Sequence, residues 1–419
     1  MTDAAYINTM LTSARPQAVA ALLRYFRDLD TAEEAFQDAC LRALKTWPRN
    51  GPPRDPAAWL VMVGRNAAID GIRRKGKQTE LPPEDMISDT GDAEAAIADH
   101  LDEADYRDDI LRLLFICCHP ELPATQQVAL ALRIVSGLSV KQIARAFLVG
   151  ESAMEQRITR AKGKIAKADV PFEAPAAVER SERLAAVATM IYLVFNEGYS
   201  AGSTEEERAS LCDEAIRLAR LLLRLFKTEP EIMGLTALML LQHSRSRARL
   251  DADGNIILLE DQDRSLWNRD MIAEGLALID KAVRHQRPGP YQVQAAIAAL
   301  HARAVRPEDT DWTQIDLLYS TLEYMQPSPV VTLNRAVAVS KVRGPEAALA
   351  MIEPLAERLS GYFHFHGLKG GLLLQLGRQR QAREAFDRAI ALANSPVEAA
   401  HIRMHIDRLM SESATKTSA

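Results

Sequence analysis

Residues 138–167 constrain the fold of this chain more than any other stretch. Leu138, Ile143 and Phe147 fall at helical spacing, with Ser139 placed as an N-cap and Gln142 three residues later, the order of a capping box. Gly150 then interrupts the apolar pattern, and a second helix can start at Glu151 and Ser152 and run to about residue 167. The stretch therefore predicts a helix, a tight turn and a second helix.

The second of these predicted helices is basic along its length. From residue 157 onward it carries five positive charges and no acid, at Arg157, Arg160, Lys162, Lys164 and Lys167. A helix of this kind, supported by a preceding helix, can enter a DNA major groove and neutralise phosphates. The alternative interpretation is an ordinary helical hairpin whose basic residues form a solvated face.

Composition limits how such a chain can use nucleic acid. The formal net charge of −5 over 419 residues argues against coating nucleic acid by bulk charge, so any contact must be local. The length predicts several domains, and a hydrophobic content of 47% with only 5% aromatic residues favours an all-α chain. With no basic and apolar leader and no bilayer-length apolar run, we expect a cytoplasmic protein without a membrane partner.

The N-terminal part predicts three helices. The first covers residues 17–26, and the second begins at Asp30 and Thr31 with Phe36, Cys40, Leu41 and Leu44 expected to be buried. Four prolines and a glycine predict a loop over residues 48–56. The third helix ends with a net charge of +4 between residues 65 and 77, which is a second local basic surface.

An acidic segment separates the two basic regions. Residues 80–109 contain twelve acids and a single base, Arg107. Such a composition is typical of a solvated linker.

No motif indicates catalysis, a cofactor or a metal. The chain has no glycine-rich phosphate loop, nucleophile elbow or HExxH sequence. Cys117 and Cys118 are expected to line a buried helical face with Leu113 and Leu114 rather than bind zinc. Residues 251–262 begin like a calcium loop but lack its final glutamate, so we predict a hairpin turn at residues 253 and 254.

Three segments together resemble a known family. The runs EEAFQDACLRALKTW, AWLVMVGRNAAIDGIRRK and SAMEQRITRAK, in this order and separation, resemble regions 2 and 4 of the extracytoplasmic-function sigma factors of bacterial RNA polymerase. The sequence departs from the family pattern at Gly71 and at Cys40. In that family the linker between the two regions threads the RNA-exit path of the polymerase. For residues 79–108 this role is an alternative to that of a plain spacer.

The resemblance assigns three sets of site residues. It implies that the second helix binds core RNA polymerase through Glu34, Gln37, Asp38 and Arg42. It implies that the loop and third helix hold the −10 promoter element, with a flipped base, through Trp59, Arg65, Asn66, Asp70, Arg73 and Arg74. It implies that the recognition helix faces the −35 element through Ser152, Glu155, Gln156, Arg157, Arg160, Lys162 and Lys164. Among the last set, Gln and Arg side chains can pair with base edges, whereas we expect Lys162 and Lys164 to contact phosphate.

The C-terminal part follows a different pattern. Gly370, Gly377, Ala382, Phe386 and Ala389, followed by Pro396, match the order of small, large and breaker residues in tetratricopeptide repeats. Residues 195–199 and 259–267 also resemble the sigma-factor subgroup with a tetratricopeptide extension. We expect a helical array that offers a concave surface to a protein partner or to a second copy of the chain, with a compact helical domain as the alternative.

These features predict an all-α fold in five parts. A region 2 domain covers residues 1–78, an acidic linker 79–108, a region 4 helix-turn-helix domain 109–169, a second linker 170–178 and a tetratricopeptide-like domain 179–419. The function expected is that of a sigma factor that binds core polymerase and directs promoter recognition and transcription initiation, regulated by its C-terminal domain. The alternative is a helix-turn-helix regulator with a tetratricopeptide sensor that binds duplex operators without polymerase. A further hypothesis, that the C-terminal half is an enzyme, is based only on Asp261, Asp263 and Arg264, to which the sequence assigns no other role.

Overall fold

The computed structural model describes residues 4–75, 103–147, 149–168, 177–199, 205–251, 256–393 and 403. Throughout these residues the secondary structure consists of helices, with one isolated antiparallel bridge between Leu250 and Ile256. The predicted all-α class is therefore confirmed. The chain forms two compact units, Met1–Glu197 and Gly198–Ala419.

The N-terminal unit contains two groups of helices. The first group is α1 (Ala4–Phe26), α2 (Leu29–Asn50) and α3 (Pro56–Lys75). The second group is α4 (Glu103–Cys117), α5 (Ala124–Ile134), α6 (Val140–Ala146) and α7 (Glu151–Lys167), and α8 (Ala177–Tyr199) follows. The predicted linker over residues 170–178 therefore ends in helix, because α8 begins at Ala177.

Helix α2 is built on a face of small residues. Its first turn is capped by Asp28, whose carboxylate accepts a hydrogen bond from the backbone N–H of Thr31 at 2.7 Å. Its buried side chains are, besides Glu33, four alanines with Phe36 and Trp47. Small side chains allow the backbones of neighbouring helices to approach closely, so α1 and α3 pack against this alanine face.

Two prolines lie inside helices where the sequence predicted boundaries. Pro16 lies within α1, which begins at Ala4 rather than at residue 17. Pro48 lies in the last turn of α2, so the predicted loop over residues 48–56 is shorter and covers residues 51–55. Proline has no backbone N–H, so each of these helices continues past its proline with one backbone hydrogen bond fewer. Gly51, with φ of 76°, ends α2.

The second group of helices surrounds a dense apolar centre. Leu113, Leu114, Cys117 and Cys118 are all at most 5% exposed, which confirms their predicted place in the core. Burial raises the pKa of Cys118 to about 12. Both thiols are therefore protonated packing groups at neutral pH.

The C-terminal unit is a succession of helical hairpins. Its helices are α9 (Glu205–Leu225), α10 (Pro230–His243), α11 (Arg269–Val283), α12 (Pro290–Arg303), α13 (Trp312–Met325), α14 (Pro329–Arg343), α15 (Pro345–Ile352), α16 (Phe363–Gln375) and α17 (Gln379–Leu392). In the α16 and α17 hairpin, Phe386 packs on the backbone at Gly370, where an added Cβ would meet the ring at 2.6 Å. Pro396 of the repeat pattern and the turn predicted at residues 253 and 254 lie outside the described residues.

Along the part of the chain that the structure describes, no helix combines the length and apolar character needed to cross a bilayer.

Candidate polymerase and DNA interfaces

The exposed face of α2 brings together the residues predicted to bind core polymerase. Glu34, Gln37, Asp38 and Arg42 are all exposed, and their spacing places them on one side of the helix. Leu41 and Leu44 lie on the same side and are 57% and 50% exposed. The predicted burial of these two leucines is wrong, because the alanine face of α2 is the one that packs. The exposed face of α2, defined by these six residues, is therefore both charged and apolar.

The start of α3 presents an aromatic pair. Asp55 caps the helix by accepting hydrogen bonds from the backbone N–H groups of Ala57 and Ala58 at 2.9 and 3.0 Å. Trp59 is partly exposed, and its ring meets the buried Trp47 edge to face at 5.3 Å between centroids. This contact fixes the orientation of a partly exposed aromatic ring beside the loop, which suits stacking with a base.

The other residues predicted to contact the −10 element do not share one environment. Asn66 is exposed on α3, whereas the guanidinium of Arg65 lies 5.6 Å from the ring centroid of Tyr25 in α1. The structure therefore places Arg65 against another helix. Asp70, Arg73 and Arg74 lie in the last turns of α3, and their side chains are outside the described set.

Helices α6 and α7 form the predicted helix-turn-helix. Ser139 and Gln142 make the expected capping box: the Ser139 hydroxyl accepts from the Gln142 N–H at 3.2 Å, and the Gln142 side chain accepts from the Ser139 N–H at 2.8 Å. Helix α7 buries Met154, Ile158 and Ala161 against its neighbours. The opposite face of α7 is exposed, as a helix that enters a DNA groove requires.

Most of the predicted −35 residues share that opposite face. Ser152, Glu155, Gln156 and Arg160 are exposed, and Arg157 is partly buried. The Arg160 guanidinium donates to the side-chain oxygen of Gln156 at 3.1 Å, which holds the two side chains together on the exposed face. Lys164 is exposed and reaches the backbone carbonyl of Glu121 at 3.5 Å.

Lys162 does not share this arrangement. Its ammonium donates to Asp30 at 2.6 Å and to Glu33 at 2.9 Å, and its side chain is only 19% exposed. Burial opposes the charge on Lys162, but its bonds to the two carboxylates outweigh burial, so the pKa of Lys162 lies above its ordinary value. The side chain expected to contact a phosphate is therefore paired with α2.

Glu33 is the centre of a cluster that the sequence did not predict. Arg133 approaches Glu33 at 3.0 Å and Arg15 approaches it at 3.5 Å, while Glu33 itself is 4% exposed. Arg15 also donates to the carbonyls of Ile134 and Arg133 at 2.9 and 3.1 Å. We call Arg15, Asp30, Glu33, Arg133 and Lys162 the Glu33 cluster. Burial lowers the pKa of Arg15, although the adjacent Glu33 partly opposes this change.

The cluster ties the first group of helices to the second. Arg15 and Glu33 come from α1 and α2, whereas Arg133 and Lys162 come from α5 and α7. Gly137, with φ of 76°, lets the chain turn over the Arg15 side chain, where an added Cβ would meet its Cδ at 2.8 Å. The only sequence signal for the cluster was an acid, Glu33, on a face otherwise made of small apolar residues.

The C-terminal unit contains a groove of about 970 Å³. It is bounded by residues 258–264, the end of α12, and helices α13, α14 and α16. Its lining includes aromatic and polar side chains, among them Trp312, Tyr319, Asn334, Lys341, Tyr362 and His364. Lys341 pairs with Glu260 at 3.4 Å near one end.

The acidic and basic residues beside this groove have structural roles. Arg264 donates to the carbonyls of His301 and Ala304 at 2.7 and 2.6 Å and so satisfies the end of α12. Asp263 caps the short turn Arg264–Leu266 by accepting from the Ser265 N–H at 2.8 Å. These contacts give Asp263 and Arg264 the structural role that the sequence left open.

The family models match both groups of N-terminal helices. Residues 10–78 match sigma-70 region 2, and residues 112–165 match sigma-70 region 4. Residues 183–283 match a Family of unknown function (DUF6596). The N-terminal helices and their helix-turn-helix therefore define a DNA-binding sigma factor of transcription initiation.

Similarity to individual proteins specifies the class of sigma factor further. An uncharacterized protein of Rhizobium meliloti is 72% identical over 416 residues, covering 99% of this chain and 98% of that protein. The ECF RNA polymerase sigma factor SigM of Mycobacterium tuberculosis is 28% identical over 144 residues, 34% of this chain and 65% of SigM. No solved structure gives a significant match. The chain belongs to the family of the Rhizobium meliloti protein, and its sigma-70 regions 2 and 4, together with the similarity to SigM, support an ECF-like sigma factor.

Proposed function

We propose that this protein binds core RNA polymerase in the cytoplasm through the exposed face of α2 and directs it to promoters. The observation that carries the proposal is the position of Leu41 and Leu44, two exposed leucines among Glu34, Asp38 and Arg42 on a helix inside region 2. An apolar centre with a charged rim is the usual anatomy of a protein interface. No covalent chemistry is required of the chain.

Promoter recognition is assigned to α3 and α7. Trp59, held by Trp47, provides a stacking surface for an extruded base of the −10 element, and base capture offsets part of the cost of unstacking. Gln156 and Arg160 provide base-edge contacts to the −35 element, with Lys164 at a phosphate. The alternative, an operator-binding regulator without polymerase, gives no role to the exposed face of α2.

The C-terminal array is proposed as a regulatory surface for a protein partner or a second copy of the chain. The groove of about 970 Å³ supports this use, because paired helices of a tetratricopeptide-like array present such concave surfaces. Val337 lies on the groove wall and is 36% exposed, whereas Val305 is 81% exposed outside it. A Val337→Glu variant should change transcript level or its regulation, and the matched Val305→Glu variant should leave both unchanged.

The function is tested by transcription from genomic DNA in vitro. The purified full chain is added to core polymerase of Rhizobium meliloti, the source of the relative, and the 5′ ends of the transcripts are sequenced. Transcripts that start downstream of a shared pair of sequence elements, and that are absent with core polymerase alone, support the proposal. A start-site pattern that the chain does not change, with no chain bound to core polymerase, contradicts it.

A further inference from the structure

We propose that Asp30 and Glu33 occupy the phosphate-binding position of the recognition helix, so that region 2 and promoter DNA compete for Lys162. This inference rests on the proposed function, because it concerns the DNA-binding use of α7. The geometry is direct: one ammonium donates to oxygens of two carboxylates at 2.6 and 2.9 Å. Two carboxylate oxygens around an ammonium present the charge and acceptors that a DNA phosphate would present.

The contact is not an isolated surface ion pair. Glu33 is buried and is also approached by Arg133 and Arg15, so one carboxylate on α2 organises three cations from three other helices. Without Asp30 and Glu33, the positive charges of Lys162, Arg133 and Arg15 would repel one another. The Glu33 cluster therefore favours an arrangement in which α7 stays against α2.

Promoter DNA and this arrangement exclude each other at Lys162. A phosphate placed on the Lys162 ammonium would lie beside the carboxylates of Asp30 and Glu33, and like charges at such distances repel strongly outside bulk water. DNA binding through Lys162 thus requires that α7 leave α2. The free protein is held closed, and DNA must replace the two carboxylates.

The exposed face of α2 stays open in the closed arrangement. Glu34 and Asp38 are exposed while Glu33 is buried, so polymerase can approach α2 before region 4 separates. Gln37 belongs to the exposed face and also lies 3.5 Å from the Glu33 carboxylate. Docking on α2 therefore acts directly beside the cluster.

The test is carbodiimide crosslinking of the full chain, read by mass spectrometry. This reagent joins an amine to a carboxylate only where they touch and where the reagent can reach the carboxylate, so the free chain should yield peptides that join Lys162 to the exposed Asp30. A saturating amount of a short mixed-sequence DNA duplex should lower that yield severalfold. The pair Lys341 and Glu260, 3.4 Å apart in the C-terminal unit, is the internal control and should crosslink equally with and without DNA.

A single substitution gives an independent measurement. Asp30 is 67% exposed, so Asp30→Asn removes one carboxylate charge from Lys162 without disturbing the core. It should raise affinity for the mixed-sequence duplex by about two- to fivefold, the range expected for an exposed ion pair. The matched variant Asp270→Asn removes the same charge from the first turn of α11 and should keep the wild-type affinity.

Two results would contradict the proposed competition at Lys162 without contradicting the sigma-factor function. One is a Lys162 crosslink undiminished in a chain that binds duplex and core polymerase. The other is equal duplex affinity of Asp30→Asn and Asp270→Asn. A chain that binds neither duplex nor core polymerase, even when its Lys162 crosslinks form, would overturn the sigma-factor function and the competition with it.

Discussion

A Cβ atom on Gly64 of α3 would lie 2.7 Å from the backbone carbonyl oxygen of Ala35 in α2. The two helices touch backbone to backbone here, and this contact sets which face of α2 is buried. Because the small residues of α2 turn toward α3, Leu41 and Leu44 turn outward. The proposed polymerase interface therefore depends on a missing side chain in a neighbouring helix.

Gly64→Ala should destabilise the N-terminal unit. Alanine favours helix by up to about 1 kcal/mol over glycine, but the new methyl group meets a backbone atom that cannot move alone, and overpacking costs about 1–3 kcal/mol. We therefore expect a net loss of stability, measured by denaturant unfolding.

Gly163→Ala is the matched control for this prediction. Gly163 lies inside α7, and no atom stands within 4 Å of its added Cβ. The same substitution should therefore stabilise the unit by up to about 1 kcal/mol. Equal effects of the two substitutions would contradict the close approach of α2 and α3.

Lys164 and Arg160 should affect DNA binding in different ways. Lys164→Ala should weaken binding to all duplexes and reduce the salt dependence by about one counterion, because a phosphate contact carries no sequence information. Arg160→Ala should relax the preference at one base of the −35 element, at a cost of about 1–3 kcal/mol. The measurements are duplex affinity against salt concentration and sequencing of the start sites that each variant selects.

The opposite pattern would exchange the two roles. If Lys164→Ala changed the selected sequence while Arg160→Ala weakened all duplexes equally, Lys164 would be the base-reading residue.

His301 should make the C-terminal unit sensitive to mild acid. Burial, assisted by the charges of Arg245 and Arg264, lowers the pKa of His301 to about 4. An unfolded histidine titrates near pH 6.5, so the unfolded chain binds the proton first. The stabilising effect is complete above about pH 6.5 and is lost as the pH falls toward 4, by roughly 3 kcal/mol in all.

Denaturant unfolding of the C-terminal unit at several pH values measures this effect. His301→Gln should flatten the dependence between about pH 6.5 and 4, since glutamine does not titrate. An unchanged slope in this variant would mean that other groups carry the dependence.

The helix-turn-helix could be predicted from sequence because its signals are local. Ser139, Gln142 and Gly150 act within a few residues of themselves, and the structure places the capping box and both helices where the sequence predicted them. The α9 and α10 hairpin carries local signals of the same kind, its apolar spacing and Pro230 at the start of α10. Local signals sufficed wherever one helix could be identified without its neighbours.

The orientation of α2 and the Glu33 cluster could not be predicted from the sequence, because both depend on tertiary contacts. Leu41 and Leu44 follow helical spacing as well as the alanines do, and only the position of α3 decides between the two faces. The Glu33 cluster joins residues more than a hundred positions apart, such as Lys162 and Asp30. No periodicity in the sequence could have paired them.

Core polymerase retention by the full chain tests the proposed function most directly. Asp38→Arg combined with Arg42→Glu reverses two charges four residues apart on the exposed face of α2. The matched control is Arg380→Glu with Glu384→Arg, which reverses an exposed pair of the same spacing on α17. We predict that the wild type and the control retain core polymerase and that the α2 variant loses it. Failure of the wild type to retain core polymerase, or equal retention by all three chains, would contradict the assignment.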